Sequence, residues 1–308
     1  MKRHSMQFLD LPLEFSNIET SAVCILPVPY EGGVSFGKGA AQGPKAIIEA
    51  SCYLELYDEV LKTEPYRMGI ATLKPVPSHK NPISMQKAIY QNVISIVNND
   101  KFIVGIGGDH SISSAFVKAL KEKYSGVSVI ILDAHSDLRD SYEGSPLSHA
   151  CATVRIREYT SDTLQIGIRS MSVEESKRIE NESLPVITMH EYRNTNIDLD
   201  ELLNSLPDPV YLSVDVDVFD WSVIRSTGTP EPGGLLWDEA MILLEKIFMR
   251  KNIIGFDLVE LAAKPSDVNS PFAAAKLIYK MLGFKLASEV FSGNIQYPNS
   301  PTGKIVDN

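Results

Sequence analysis

The sequence predicts an α/β fold, an open and mainly parallel sheet with right-handed crossovers. Three observations carry that expectation. Short apolar runs alternate with longer segments of helical periodicity. Several runs are near-continuous in Val, Ile and Leu, as in parallel strands covered on both faces. Three of them end in metal-ligating residue types, and open α/β sheets bind ligands outside the carboxyl ends of their strands.

In chain order, 23–30 (VCILPVPY) reads as the first strand. A helix over 44–61 follows, with Pro44 in its first turn. A second helix over 84–99 has Ser84 placed as its N-cap. Strand 101–108 (KFIVGIGG) leads to a helix over 112–124, and strand 127–135 (VSVIILDAH) comes next. Strands 163–168 and 185–189 flank a helix over 172–182. A helix over 198–206 precedes strand 210–218 (VYLSVDVDV). In the helix over 236–250, Ala240, Leu243, Leu244, Ile247 and Phe248 form the i, i+3, i+4 stripe that faces a core. Strand 253–261 and a helix over 271–291 complete the pattern. The stretch 292–308, with Gly, Pro, Asn and Ser, reads as a frayed tail. No internal repeat or linker divides the chain, so the expectation is one domain over 1–308.

The 308 residues are 44% hydrophobic and 22% charged, which excludes collagen-like and disordered classes. A chain this long buries enough surface to hold together without a disulfide or a structural metal. No apolar run approaches the roughly 18 residues that span a bilayer, so no membrane partner is expected. Asp10 and Glu14 interrupt the N-terminal segment, so no secretory signal is expected and the cytoplasm is the default compartment. The net charge of −10 argues against nucleic-acid binding and is compatible with a cationic substrate or metal ions. Cys24, Cys52 and Cys151 form no CxxC pair and read as reduced, mostly buried thiols.

The strand-end residues carry the chemistry. Strand 101–108 runs into Asp109 and His110; strand 127–135 ends in Asp133, His135 and Asp137; strand 210–218 ends in Asp215, Asp217 and Asp220. In an extended segment residues two apart project to the same side, so Asp133, His135 and Asp137 converge, as do Asp215 and Asp217. Converging carboxylates repel, and cations remove that repulsion. Imidazole with an excess of hard oxygen ligands leans toward Mn²⁺. Two histidines and four aspartates exceed one ion's needs and suit a pair sharing carboxylates. A lone DxD or GGDH is a weak signal; the combination is specific.

Asp140 and Asp220, three residues beyond their motifs, read as turn or cap residues. His149 is a candidate general acid, because its reference pKa lies near neutrality. His4, His79 and His190 have no acidic motif around them and default to surface or core. Glu260 ends an apolar strand, where a carboxylate needs a cationic partner: an internal Arg, or a guanidinium or ammonium substrate. Thr227 and Thr229 offer hydroxyls from the turn-rich segment TGTPEPGG.

Together, GGDHS (107–111), DAHSD (133–137), SVDVD (213–217), TGTPEPGGL (227–235) and DLVEL (257–261) resemble the ureohydrolase family of arginases and agmatinases. The motifs occur in the family's order, and the likeness extends upstream to SFGKGAAQGPKAIIEAS (35–51). The resemblance implies a three-layer α/β/α sandwich, two Mn²⁺ per chain and assembly into trimers or hexamers. It implies His110, Asp133, Asp137 and Asp215 as ligands of one ion. It implies His135, Asp133, Asp215 and Asp217 as ligands of the other, with Asp133 and Asp215 bridging. A hydroxide bridging the ions would attack the guanidinium carbon, oriented by Asp137. Glu260 would hold the guanidinium, Thr229 would line its pocket, and His149 would donate a proton to the leaving amine.

Arginases typically carry Asn where Arg139 stands. The surrounding DLRD…G…LSHA loop is more similar to microbial agmatinases, which implies agmatine as substrate and putrescine and urea as products. Asp140 and Glu143 make that loop acidic, which suits a distal ammonium; Arg139 is the residue that could instead attract a carboxylate. Aminopropylagmatine, guanidinobutyrate and arginine remain alternatives, as do a non-catalytic relative and a deacylase on a related fold. The segment FDWSVIRSTGTPEPGG departs from the family pattern at 220–226 without loss of a ligand, and leaves substrate detail open.

Overall fold

The structure is a computed structural model that describes residues 6–294. Eight strands form the central sheet: β1 (Val23–Val28), β2 (Ile70–Thr72), β3 (Phe102–Gly107), β4 (Ser128–Leu132), β5 (Thr163–Ile168), β6 (Val186–Thr188), β7 (Val210–Asp215) and β8 (Ile253–Val259). Their order is β2-β1-β3-β8-β7-β4-β5-β6, and every pairing is parallel.

Helices cover both faces of the sheet, because alternate residues of each strand point to opposite sides. Ile25, Val104, Ile130, Leu212 and Phe256 face one core. That core is closed by α1 (Gly43–Ser51), α7 (Leu199–Ser205), α8 (Trp237–Arg250) and α9 (Asn269–Phe291). Cys24, Leu26, Ile103, Val129, Ile131 and Tyr211 face the other. It is closed by α2 (Pro82–Asn98), α3 (Ser113–Lys123) and Ile156 of α4 (Ala152–Arg157). Two short helices, α5 (Val173–Glu182) and α6 (Met189–Asn194), complete the set. Fully burying each Leu, Ile or Phe side chain contributes about 1.5–3 kcal/mol, so the two cores fix the layers.

Several expectations need correction. The helix expected over 44–61 stops at Ser51. Beyond it the buried Asp58 accepts from the Val60 and Leu61 amides and pairs with Lys280 at 2.9 Å. Those local bonds give the backbone a partner other than a helical carbonyl. Ser84 is not a cap: Asn81 is, and its Oδ1 accepts from Ser84 N at 3.0 Å. Pro82 takes the first helical position, where no amide hydrogen is needed. Strand β4 ends at Leu132, and Asp137 has φ 50, so the DAHSD segment is not extended. β7 likewise ends at Asp215, and Asp217 sits in a 3-10 turn. The sequence reading omitted β2, α4 and α6. β2 is only three residues at the sheet edge, α4 hides behind β-branched residues, and α6 starts at Met189, read as strand.

Cys24 and Cys151 are buried, Cys52 is half-buried, and all three are free thiols. His79 and His190 are exposed. His4 and residues 295–308 of the expected tail lie outside the described residues. No helix among the described residues is long and apolar enough to cross a membrane.

Candidate active site

Four neighbouring strands, β3-β8-β7-β4, deliver the strand-end acids and imidazoles to one place. Each uses a short polar turn. After β3, Asp109 Oδ1 accepts from Ser111 N at 3.1 Å and starts a turn that carries His110. After β4, Asp133 Oδ1 accepts from His135 N at 2.6 Å. At the end of β7, Asp215 Oδ1 accepts from Asp217 N at 2.9 Å. After β8, Glu260 takes φ 64, and its Oε1 accepts from His110 N at 2.8 Å. In each turn the side chain satisfies backbone amides that the ended strand leaves bare.

Two ligand groups share Asp133. His110, Asp133 and Asp137 form one; Asp133, His135 and Asp217 form the other. His110 Nδ1 lies 3.0 Å from Asp133 Oδ2, 3.3 Å from Asp215 Oδ2 and 3.5 Å from Asp137 Oδ2. His135 Nδ1 lies 2.9 Å from Asp217 Oδ2 and 3.8 Å from Asp133 Oδ1. His110 Nδ1 and Asp133 Oδ2 are buried, and neither has a hydrogen-bond partner. His110 Nε2 faces Ser213 Oγ at 3.0 Å, which leaves Nδ1 directed at the carboxylates. Buried groups of this kind need partners, and a cation between them supplies one. The donor set therefore fits divalent metal ions.

Protonation shows the same strain. Burial, then the Asp133 charge, pushes Asp137 up to about 8. Burial, Asp217 and Asp133 hold Asp215 well above the carboxylate range. Burial lowers His135, but Asp217 outweighs it and raises the ring to about 11. Burial raises Asp217, but His135 outweighs it and holds that carboxyl low. Protons thus take the place that cations would fill.

A cavity of about 250 Å³ opens onto the centre. His135, Asp137, Asp215, His149, Thr229 and Ser35 are on its wall. His110, Asp133 and Asp217 lie beneath. Glu260 is also beneath, 2% exposed, with Oε1 3.1 Å from His149 Nδ1. No internal Arg pairs with it among the described residues; its neighbours are His110 N and the His149 ring. Burial lowers His149, but Glu260 outweighs burial and raises it to about 9.

Other sequence candidates fall elsewhere. Asp109 belongs to neither ligand group: it accepts from Gly33 N at 2.7 Å and anchors the 31–41 loop. Asp220 is the turn residue expected, accepting from Ser222 N at 3.0 Å. Asp140 lies in a bend and also pairs with Arg178 at 2.9 Å. Arg139 lies 3.6 Å from Glu175 Oε2 and its guanidinium sits 5.1 Å over the Tyr142 ring, at the cavity edge. None of residues 220–226 is among those that line the cavity. Thr227 Oγ1 is buried without a partner. Two site residues escaped the sequence reading: Ser35, and Glu231, whose Oε1 is 3.9 Å from His135 Nε2. Both lie inside family-like segments, Glu231 in TGTPEPGG and Ser35 at the start of SFGKGAAQGPKAIIEAS, but no spacing in the sequence links either to a histidine.

Comparison with known proteins agrees with this geometry. Residues 21–283 match the Arginase family. The N(1)-aminopropylagmatine ureohydrolase of Synechocystis sp. is 39% identical over 86% of this chain and 89% of its own. The agmatinase of Pyrococcus horikoshii is 35% identical over 92% of this chain and 99% of its own. The crystal structure of agmatine ureohydrolase of Thermoplasma volcanium superposes with TM-score 0.83 at 28% identity, covering 92% of this chain and 95% of that one. These likenesses establish that the chain belongs to the arginase family, as a ureohydrolase-type enzyme.

Proposed function

We propose that this enzyme hydrolyses the guanidino group of an amine-tailed alkylguanidine, agmatine, releasing urea and putrescine. The observation that carries the reading is one cavity holding two linked ligand groups beside the His149–Glu260 pair. His110, Asp133, Asp137 and Asp215 would hold one ion; His135, Asp133, Asp215 and Asp217 the other. The oxygen-rich donor set favours Mn²⁺. When bound, such a pair supplies acidified water and charge stabilisation.

The chain's own residues do the rest. Guanidinium is resonance-stabilised and a poor electrophile, so it must be held and its leaving nitrogen protonated. Glu260 Oε2 and the cavity wall near Thr229 offer acceptors for its N–H groups. Asp137, on the wall, would orient the attacking water by accepting its hydrogen bond. His149 Nδ1 lies beside Glu260 Oε1, where a held guanidinium presents nitrogen, and donates the proton that makes the amine leave. The names of the Synechocystis and Pyrococcus relatives favour two tails, and aminopropylagmatine is the second reading. A cytoplasmic homo-oligomer, trimer or hexamer, is part of the same proposal and is read by sedimentation.

Urea release by Mn²⁺-loaded protein, with agmatine, aminopropylagmatine and arginine side by side, tests the reading. Urea from an amine-tailed guanidine is expected. Urea from arginine alone would overturn the substrate assignment. Asp133→Ala is expected to lose metal and activity together, and full retention of both would overturn the centre.

A further inference from the structure

The segment 31–41 has little regular structure, yet it is tied down along its length. Glu31 Oε2 accepts from Gly39 N at 2.8 Å and Ala41 N at 3.0 Å, closing the loop on itself. Gly33 N donates to Asp109 Oδ2, and the Gly33 carbonyl accepts from His149 N and Ser148 Oγ, both at 3.1 Å. Gly37 packs so closely on Gly228 that a Cβ would sit 2.5 Å from the Gly228 carbonyl oxygen. What this anchored loop presents to the site is Ser35. Its Oγ is 2.8 Å from His149 Nε2, and its amide N–H donates to the same atom at 3.2 Å. The other ring nitrogen faces Glu260.

A neutral imidazole has one donor and one acceptor nitrogen; the cation has two donors. The Ser35 amide can only donate, so it suits the neutral ring, whose proton then sits on Nδ1. The Ser35 hydroxyl can also accept, so it suits the cation, whose Nε2–H needs an oxygen. One residue thus meets both states of the ring. The charges facing the ring from the surrounding elements are Glu260 after β8, Asp137 after β4 and Asp109 after β3.

We infer that Ser35 is a positioning residue for His149: its hydroxyl accepts from Nε2–H and so holds the charged, proton-donating ring in place. The inference rests on His149 being the proton donor. As the C–N bond breaks, its electron pair stays on nitrogen and takes the Nδ1 proton. The ring is left neutral, with its remaining hydrogen on Nε2 against Ser35 Oγ. Without the hydroxyl, Nε2–H is left with only the Ser35 amide N–H facing it and no acceptor, so the charged ring is disfavoured.

Ser35→Ala keeps the amide and removes the hydroxyl. A lost hydrogen bond to a charged group is expected to move the alkaline limb of kcat down by about one pH unit, with about a tenfold loss above it. KM, bound metal and Tm are expected to stay near wild type. Ser35→Thr restores the limb, and in a His149→Asn background Ser35→Ala costs nothing more. A wild-type limb in Ser35→Ala, no restoration by Thr, or an added cost in the His149→Asn background would overturn the inference. Nitrogen-15 NMR titration of His149 in Zn²⁺-loaded protein reads the same shift without turnover. A protein that hydrolyses no guanidine would therefore sink the proposed function, while the titration still decides Ser35.

Discussion

His149 donates a proton only while its ring is charged. With Glu260 outweighing burial and holding the ring up to about 9, the donor form is populated below that value and lost as pH rises through it. Urea release is therefore expected to fall on an alkaline limb in that range. His149→Asn should lower kcat by roughly 10²- to 10⁴-fold, the usual worth of a positioned acid. Metal content, measured by elemental analysis, should stay at wild type, because His149 belongs to neither ligand group. Loss of metal together with activity would make His149 a structural residue instead.

At the scale of elements, α5 is more than a cover. Ser172 and Glu175 form a reciprocal cap at its start. Glu175 also reaches back: its Oε1 accepts from Ser136 Oγ at 2.8 Å and Leu138 N at 2.9 Å. One buried carboxylate thus starts a helix and holds the turn that bears His135 and Asp137. Glu175→Ala leaves those donors unmet, at about 1–3 kcal/mol each when buried. Lower thermal stability and weaker Mn²⁺ binding by calorimetry are expected together; a stability loss with unchanged affinity would separate the two roles. This arrangement also shows what a sequence can and cannot display. The strands β3, β4, β7 and β8 were legible because strands buried on both faces are apolar throughout, and the polar residues that end them stand out. His110, Asp133, His135, Asp215 and Asp217 were found that way. Strand alternation does not bring them together: Asp137 and Asp217 reach the centre through turns with side-chain bonds to the backbone. Ser35 opens the family-like segment 35–51, but its contact with His149 is not legible, because the partner is 114 positions away and no periodicity links them.

For the whole molecule, the metal-free centre sets a pH dependence of stability. Asp137 is raised to about 8 from an ordinary 3.8, and His135 to about 11 from 6.5. The folded state then binds more protons than the unfolded one, so stability falls as pH rises. For Asp137 the fall runs from about 4 to 8, and for His135 from about 6.5 to 11. Chelator-treated protein is expected to lose Tm between pH 6 and 9, while Mn²⁺-loaded protein resists, because ions bind the folded state and displace those protons. Equal slopes in the two scans would contradict this.

The sheet order has a consequence for how the enzyme is made. β8 is the last strand among the described residues, yet it sits between β3 and β7, and the turn after it carries Glu260. A ribosome delivers residues from the N-terminus, so β3, β4 and β7 emerge before the strand that must slot among them. The early strands cannot close ranks over that gap without forfeiting the native order. The complete centre therefore exists only once synthesis has passed residue 260. Metal loading is therefore expected only after β8 has slotted in, and a nascent chain stalled before β8 should capture no ion pair.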